Sequence, residues 1–334
     1  MQKAMHQEDL PRIPVLDVGA GFPKETLERE EARAHRLLDA ATRFVPKTAL
    51  KSLDSVSRRW LARCDPHLLD EIDVIARRLA RPGAYFLSVN YEWGCTVRVA
   101  PSPDGAPGAR LIRVLDWRTH GLGRYIVAAR VTAPAGRFVT MTWPGYTGVL
   151  QAVAPGRFAA ALNQAPMRAP TGIYPLDWSA NRWRVWRRAQ VTPAHLLRQA
   201  FERAASYQEA REMLTETPIA APCIYAIAGL EADETCIIER TEETAYVHEG
   251  RASAANHWQA PGWAGRNRGI DSPGRAMRMT TAQARLDGTF PWLDHPILNA
   301  HTRLAMVADA RGGRLVAQGY EHDGPATAVL ELAA

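Results

Sequence analysis

The stretch Asn90-Tyr91-Glu92-Trp93-Gly94-Cys95-Thr96-Val97-Arg98-Val99 is followed, after a turn, by Leu111-Ile112-Arg113-Val114-Leu115-Asp116-Trp117. Two apolar, β-branched runs flank Pro101 to Gly108, a segment rich in Pro, Gly and Asp, so the pair reads as a β-hairpin. Pairing the runs returns Arg113 and Asp116 to the start of the first strand. A thiol, a guanidinium and a carboxylate then meet near Cys95. Taken alone, a single Cys opening a strand is a small core hydrophobe, because Cys is among the most often buried residue types.

Working outward, the chain before the hairpin is mostly helical. Residues 12–18 form a short extended segment. Helical signals begin at Pro23, with Leu27, Leu37, Leu38 and Ala41 on one face. Over 66–81, Leu68, Ile72, Ile75 and Leu79 recur at helical spacing behind Pro66, and Pro82-Gly83 stops the helix. After Cys95 the character switches to strands, with runs at 95–100, 110–117, 124–133, 137–143, 146–153 and 157–163 at hairpin spacing. Thr192-Pro193 then caps a helix, and Ser206 with Glu209 forms a capping box for the next. Strands recur at 223–229, 235–240 and 244–248. Asp271-Ser272-Pro273-Gly274-Arg275 opens a helix with Ser272 as N-cap, Pro273 at the first position and Gly288 as C-cap. The tail, 303–334, reads as strands around a Gly turn at 312–313. Two blocks of hairpin strands with helix pairs between them predict an α+β fold, a four-layer αββα sandwich of antiparallel sheets. Residues 1–94 form a mostly helical N-terminal segment, and residues 95–334 form the layered domain.

Composition narrows the function classes. The 334 residues are 46% hydrophobic and 23% charged, a globular balance. No apolar run approaches the roughly 20 residues of a membrane span, so no stable membrane insertion is expected. No apolar h-region follows the N-terminus. The four cysteines are widely spaced, with no CxxC and no zinc-ligand spacing, so a reduced, cytoplasmic compartment without metal or cofactor is expected. Net charge is +6, yet the arginines are scattered among Glu and Asp, and a nucleic-acid partner is not expected. The richest run, 181–188 (Asn-Arg-Trp-Arg-Val-Trp-Arg-Arg), reads as a solvated strand face or a substrate-pocket wall.

The order of short motifs resembles the N-terminal-nucleophile (Ntn) amidohydrolases of the acid ceramidase, N-acylethanolamine-hydrolysing acid amidase and choloylglycine hydrolase group, over most of the chain. Asn90 to Thr96 looks like the junction cut just before the nucleophile. Arg113-Val114-Leu115-Asp116 matches the family's Arg-x-x-Asp. Pro144-Gly145-Tyr146-Thr147-Gly148-Val149-Leu150 looks like its Pro-Gly-Tyr-x-Gly-x-Leu, and Leu162-Asn163 its Leu-Asn-Glu. Gln164 stands in place of that glutamate. Asn256-His257-Trp258 sits where the family has Thr-Asn and an aromatic or His, and Asp271-Ser272-x-x-Arg275 resembles its Asp-Ser-x-x-Arg.

The resemblance implies an Ntn-hydrolase sandwich in which cleavage of Gly94–Cys95 turns Cys95 into the nucleophile of a linear amide hydrolase. The Cys95 thiolate attacks an N-acyl amide to give a thioester, and its own new α-amine, with an ordinary pKa near about 8, shuttles the proton. Asp116 would orient the amine or thiol. Arg113 would favour the thiolate and position Asp116. Asn256 would donate to the oxyanion, Asn163 would line the pocket, and Arg275 would close the ion-pair network. Trp117, Trp143, Tyr146, Gln164 and His257 are candidate substrate contacts, with the tryptophans and Tyr146 walling an apolar acyl pocket. The cleaved segment would stay as a small subunit, and self-association is left open. Two other readings stand beside this one: an acyltransferase using the same acyl-enzyme, and a non-catalytic binding protein with Cys95 unprocessed.

Overall fold

The computed structural model describes residues 10–43, 45–89 and 93–334. Asn90, Tyr91 and Glu92 of the junction motif lie outside the described residues. The N-terminal segment begins with strand β1 (Val15–Gly19) and continues as helices α1 (Lys24–Arg29), α2 (Glu31–Thr42), α3 (Lys47–Cys64), α4 (Pro66–Leu79) and α5 (Ala84–Ser88). Asp65 caps α4, its carboxylate accepting from Leu68 N at 3.0 Å, with Pro66 at the first helical position, where its missing N–H costs nothing. Ile75 and Leu79 of α4 bury against Leu27 of α1 and Ala34 and Leu38 of α2.

The hairpin is β2 (Gly94–Pro101) and β3 (Ala109–Asp116), antiparallel, with Gly94 opposite Asp116, Cys95 opposite Leu115 and Val97 opposite Arg113. Four strands follow: β4 (Val127–Ala133), β5 (Gly136–Thr142), β6 (Gln151–Ala154) and β7 (Phe158–Gln164). The strand expected over 146–153 begins only at Gln151. Residues 143–150 instead turn, with Tyr146 N bonded to Trp143 O at 3.0 Å and Gly145 at φ +80°. The Arg/Trp run 181–188, read as a strand face or a pocket wall, lies on and just past the end of helix α6 (Tyr174–Trp186), so the strand alternative is corrected while Asn181, Arg182 and Val185 do line a cavity; α7 (Pro193–Arg203) and α8 (Tyr207–Glu216) follow. Next come β8 (Cys223–Ala228), β9 (Thr235–Arg240), β10 (Ala245–Glu249), β11 (Ala252–Ala254), α9 (Ser272–Met279), β12 (Thr302–Asp309), β13 (Arg314–Glu321), β14 (Gly324–Pro325) and β15 (Leu330–Ala333). The N-cap of α9 is Asp271, which accepts from Gly274 N, whereas Ser272 is the first helical residue. The helix ends at Met279, well before Gly288, which serves a later turn at φ +71°.

Among the described residues, one sheet has the order β1-β4-β5-β6-β7-β8-β9-β10, and the second β11-β2-β3-β12-β13-β14, with β15 also on β13. The sheets pack face to face. Cys95, Val97, Leu111 and Leu115 of the second meet Val153, Ala161, Ile224 and Ala226 of the first in one core. Helices α7 and α8 cover the far side of the first sheet. Met279 of α9 and the segment through Ile297 cover the far side of the second, over Ile112, Val114, Ala305 and Val307. This is the four-layer αββα sandwich. One pairing departs from antiparallel expectation: β1 runs parallel to β4. A parallel neighbour needs a long crossover, and the five helices between β1 and β2 supply it.

Candidate active site

Side chains alternate across a strand, so residues facing each other in the ladder share a face. Cys95 and Arg113 therefore point into the space between the sheets. Thr96 and Asp116 point the other way, toward α9. Cys95 is fully buried, with Sγ 3.8 Å from the Leu162 carbonyl oxygen. Burial pushes its thiol up to about 11. Arg113 and Arg275 and the Gln164 backbone N–H pull it down, and Asp116 pushes it further up. At neutral pH this thiol is protonated.

Arg113 is also fully buried. Its Nη1 donates to Asn163 Oδ1, while Nε and Nη2 have no hydrogen-bond partner. Burial lowers its pKa, and the neighbouring Cys95 and Asp116 oppose that shift. Asn163, on β7, spans the two sheets, its Nδ2 donating to Ala254 O and Ala255 O at 3.3 and 3.0 Å. The expectation that Arg113 positions Asp116 is corrected. The two are three residues apart on one strand, an odd spacing that sends them to opposite faces.

Asp116 is instead held by Arg275, from the first turn of α9, and by Thr302 at the start of β12. Arg275 Nη1 lies 3.2 Å from Asp116 Oδ2, and Thr302 Oγ1 donates to Oδ1 at 3.0 Å. The same guanidinium donates to Cys95 O at 2.6 Å, Thr96 Oγ1 at 2.8 Å, Ile270 O at 2.6 Å, Arg268 O at 3.2 Å and Asn256 Oδ1 at 3.0 Å. Asn256 Oδ1 also accepts the Cys95 backbone N–H at 2.7 Å, and Nδ2 donates to Gln164 O at 2.7 Å. The side-chain amide expected to serve an oxyanion thus already bonds Gln164, and its oxygen marks the Cys95 nitrogen. Gln164 in turn accepts Trp93 N on Oε1 at 2.8 Å.

Gly94 sits under a close approach. A Cβ built there would lie 3.3 Å from both Asp116 Cβ and Gly269 Cα, so a larger residue would need Asp116 or the backbone at Gly269 to give by a few tenths of an ångström. The expected substrate residues divide. Leu162, Asn163, Gln164 and Trp93 line a cavity whose outer wall is Trp178, Asn181, Arg182 and Val185 of α6. Trp117, Trp143 and Tyr146 line a second, mostly apolar cavity against Leu37, Leu38, Ile75 and Leu79 of the N-terminal helices. The Trp93–Trp117 pair, ring centroids 4.8 Å apart, stands between them. His257 is not in the lining of either cavity. Its Nδ1 bonds Ser272 Oγ at 2.8 Å, and burial lowers its pKa. The sequence reading missed Thr302, which arrives from the far end of the chain. It also missed Ser272 as a brace, its hydroxyl accepting Asn256 N at 2.7 Å; the Asp-Ser-x-x-Arg motif was the available signal.

No family model matches the chain. It is 30% identical to the acid ceramidase of Homo sapiens over 113 residues, which are 34% of this chain and 27% of that protein. It is 27% identical to the acid ceramidase of Bos taurus over 106 residues, 31% of this chain and 25% of that one. Its sequence relatives are acid ceramidases. The resemblance to the acid ceramidase group stands, and the match spans about a quarter of these relatives' length. Among solved structures, the N-acylethanolamine-hydrolyzing acid amidase ortholog of Caenorhabditis elegans aligns with a TM-score of 0.46 at 17% identity, over 63% of this chain and 91% of that one. A mutant conjugated bile acid hydrolase from Clostridium perfringens aligns at 0.41 and 10% identity, over 71% and 92%.

Proposed function

We propose that the protein is an amide hydrolase that cuts its own Gly94–Cys95 bond and then uses Cys95 as an N-terminal nucleophile on N-acyl amides. The observation that carries this reading is the clamp on the backbone of one residue, on either side of its Cα. The Cys95 nitrogen bonds Asn256, the Cys95 carbonyl bonds Arg275, and the thiol lies beside the unpaired nitrogens of Arg113. A residue held on both its N–H and its C=O supports this reading, because the same two bonds would fix the α-amine that cleavage creates.

In the uncut chain the thiol is buried and protonated, which suits a dormant precursor. Cleavage creates an ammonium on the same residue and opens the site to water. Both changes lower the thiol's pKa. The thiolate adds to the substrate carbonyl and the C–S bond forms. The α-ammonium gives its proton to the leaving nitrogen as the C–N bond breaks. Water then hydrolyses the thioester and restores the thiol. Asp116, fixed by Arg275 and Thr302, holds the α-amine end. The acyl part enters between β7 and α6, where Trp93, Leu162 and Met167 provide apolar surface.

The N-terminal segment is retained as a small subunit. Its support is β1 in the first sheet, the Glu71–Arg198 ion pair at 2.6 Å, and Trp60 Nε1 donating to the Val185 and Arg188 carbonyls. Incubation with N-acyl amides of graded acyl length tests the reading. It is supported by amine release together with a thioester mass adduct on the fragment beginning at Cys95. Amine release by a Cys95→Ala protein would end it.

A further inference from the structure

His257, a candidate substrate contact by sequence, lines neither of the two cavities, and the proposed function gives it no role. Its Nδ1 lies 2.8 Å from the Ser272 hydroxyl oxygen, and that oxygen accepts the Asn256 backbone N–H at 2.7 Å. A backbone N–H only donates, so the Ser272 oxygen gives a lone pair to Asn256 and keeps its single proton for another partner. Ser272 is 2% exposed, and among the described residues the ring nitrogen is the partner left for that proton. The direction of the chain is therefore set. Asn256 N–H donates to Ser272 Oγ, and Ser272 O–H donates to His257 Nδ1. The ring is then neutral, with its own proton on Nε2.

The chain matters because of where Asn256 stands. Its Oδ1 accepts the Cys95 N–H at 2.7 Å, and its Nδ2 donates to Gln164 O at 2.7 Å. The backbone behind it is hung from Ser272 at the N–H and from Arg268 N at the carbonyl, 3.1 Å away. Three residues on, the buried Glu239 carboxylate of β9 accepts the Gln259 and Ala260 N–H groups at 2.8 and 2.7 Å. A proton on Nδ1 would aim a second N–H at the Ser272 oxygen. The hydroxyl proton would then turn into a buried space with no acceptor among the described residues. Burial opposes the ring's cation most, Glu239 favours it, and Arg275 of α9 opposes it. His248 of β10 stands behind Glu239, its Nε2 3.7 Å from Oε2, and Asp271 turns its carboxylate to Gly274 N.

We infer that His257 is a positioning residue: through the Ser272 hydroxyl it holds Asn256 on the Cys95 nitrogen, and the hold is whole only while the imidazole is neutral. The brace is a property of the folded chain. That it serves turnover rests on the proposed function.

The test uses the full Cys95→Ala chain, in which residue 95 keeps its amide N–H. With nitrogen-15 in its histidines, the His257 ring signals, assigned by their loss in His257→Asn, should report the Nε2–H tautomer at neutral pH. Adding Ser272→Ala removes the donor to the neutral ring, so the titration midpoint of His257 should rise by about 0.5–1 pH unit. Hydrogen exchange of the residue-95 amide at neutral pH should quicken about tenfold with His257→Phe. With His257→Asn it should stay within about twofold, because Asn Oδ1 stands where Nδ1 does and accepts at every pH. An Nδ1–H tautomer, an unmoved midpoint, or equal exchange in the Phe and Asn variants overturns the inference. With Cys95 in place, the ratio of the parent's kcat to that of His257→Asn should be flat above about pH 6.5 and fall about tenfold as the ring takes up its proton at lower pH, with KM unchanged. A flat ratio overturns the bearing on turnover. A parent that neither cleaves nor releases amine overturns the proposed function instead, and the tautomer, midpoint and exchange results then decide the brace alone.

Discussion

Two arginines lie fully buried within one residue's reach of Cys95, and they are bonded in opposite ways. Arg275 donates six hydrogen bonds, to four carbonyl or amide oxygens, one hydroxyl and one carboxylate, and no nitrogen is left over. Arg113 donates one, to Asn163, and leaves Nε and Nη2 bare beside the thiol. A buried cation costs several kcal/mol unless its protons are satisfied. Arg275 has met that cost in the folded chain and acts as a fastener for the 265–275 loop, Asp116 and the Cys95 peptide. Arg113 has not, and under the proposed function it would gain its missing partner when negative charge develops at the sulfur or at a substrate oxygen. The first is saturated by the fold, and the second is the one the proposed function would assign to a charge that arrives later.

The most drastic way to probe this pair removes what lies between them. Cys95→Ala should abolish both chain cleavage and amide turnover, read by intact mass and amine release, with little loss of stability, since the change removes one sulfur. Arg275→Met should cost about 3–5 kcal/mol in the urea midpoint, because Asp116 is left buried without its cation. If it unfolds no more easily than Arg113→Met, the contrast between the two arginines is wrong. Arg113→Met should change stability by no more than about 1 kcal/mol, the orphaned Asn163 oxygen offsetting relief of a buried charge. Its turnover should fall about 10²–10³-fold, the usual cost of losing one preorganised donor.

The smallest expected effect comes from a third buried basic group. His195, on α7, bonds Thr147 Oγ1 at 2.9 Å, and burial holds its pKa down at about 3. Unlike an arginine, it stays buried by giving up its proton. Its unfolded value is near about 6.5, so below that pH the unfolded chain takes up a proton that the folded chain refuses. The stability is complete above pH 6.5 and is lost as pH falls toward 3, by at most about 1.4 kcal/mol per pH unit. A urea midpoint for His195→Gln that falls with acid as steeply as the parent's would show that other groups set the slope.

Much of this was readable before any coordinates. Turn residues at hairpin spacing delimited β2 and β3 and most of the first sheet, and helix periodicity with Pro66 found α4. The layered sandwich followed from the alternation of strand blocks and helix pairs. The misreadings have physical causes. In the 181–188 run, Arg and Trp alternate at near period two, a strand signal, while the helix is fixed by tertiary contacts such as Trp60 with the Val185 carbonyl. Helix α9 begins one residue earlier than its Ser suggested, because Asp271 tolerates the left-handed conformation at φ 37° and caps in its place. The partners of Asp116 were half legible. The odd spacing in Arg113-x-x-Asp116 already places the two on opposite faces, which leaves Arg275 as the cation from the Asp-Ser-x-x-Arg motif. Thr302 carries no local signal, since it reaches Asp116 only through the pairing of β12 with β3. The arginine saturation that separates fastener from acceptor is a property of three-dimensional geometry and is not written in residue spacing.

The central claim is that the clamp on the Cys95 peptide prepares a new chain terminus. Intact mass of the purified protein under denaturing conditions tests it most directly. Two fragments, one ending at Gly94 and one beginning at Cys95, are the predicted result, with a single uncut chain for Cys95→Ala. A parent protein that remains one uncut chain at every pH, yet turns over N-acyl amides, would contradict it.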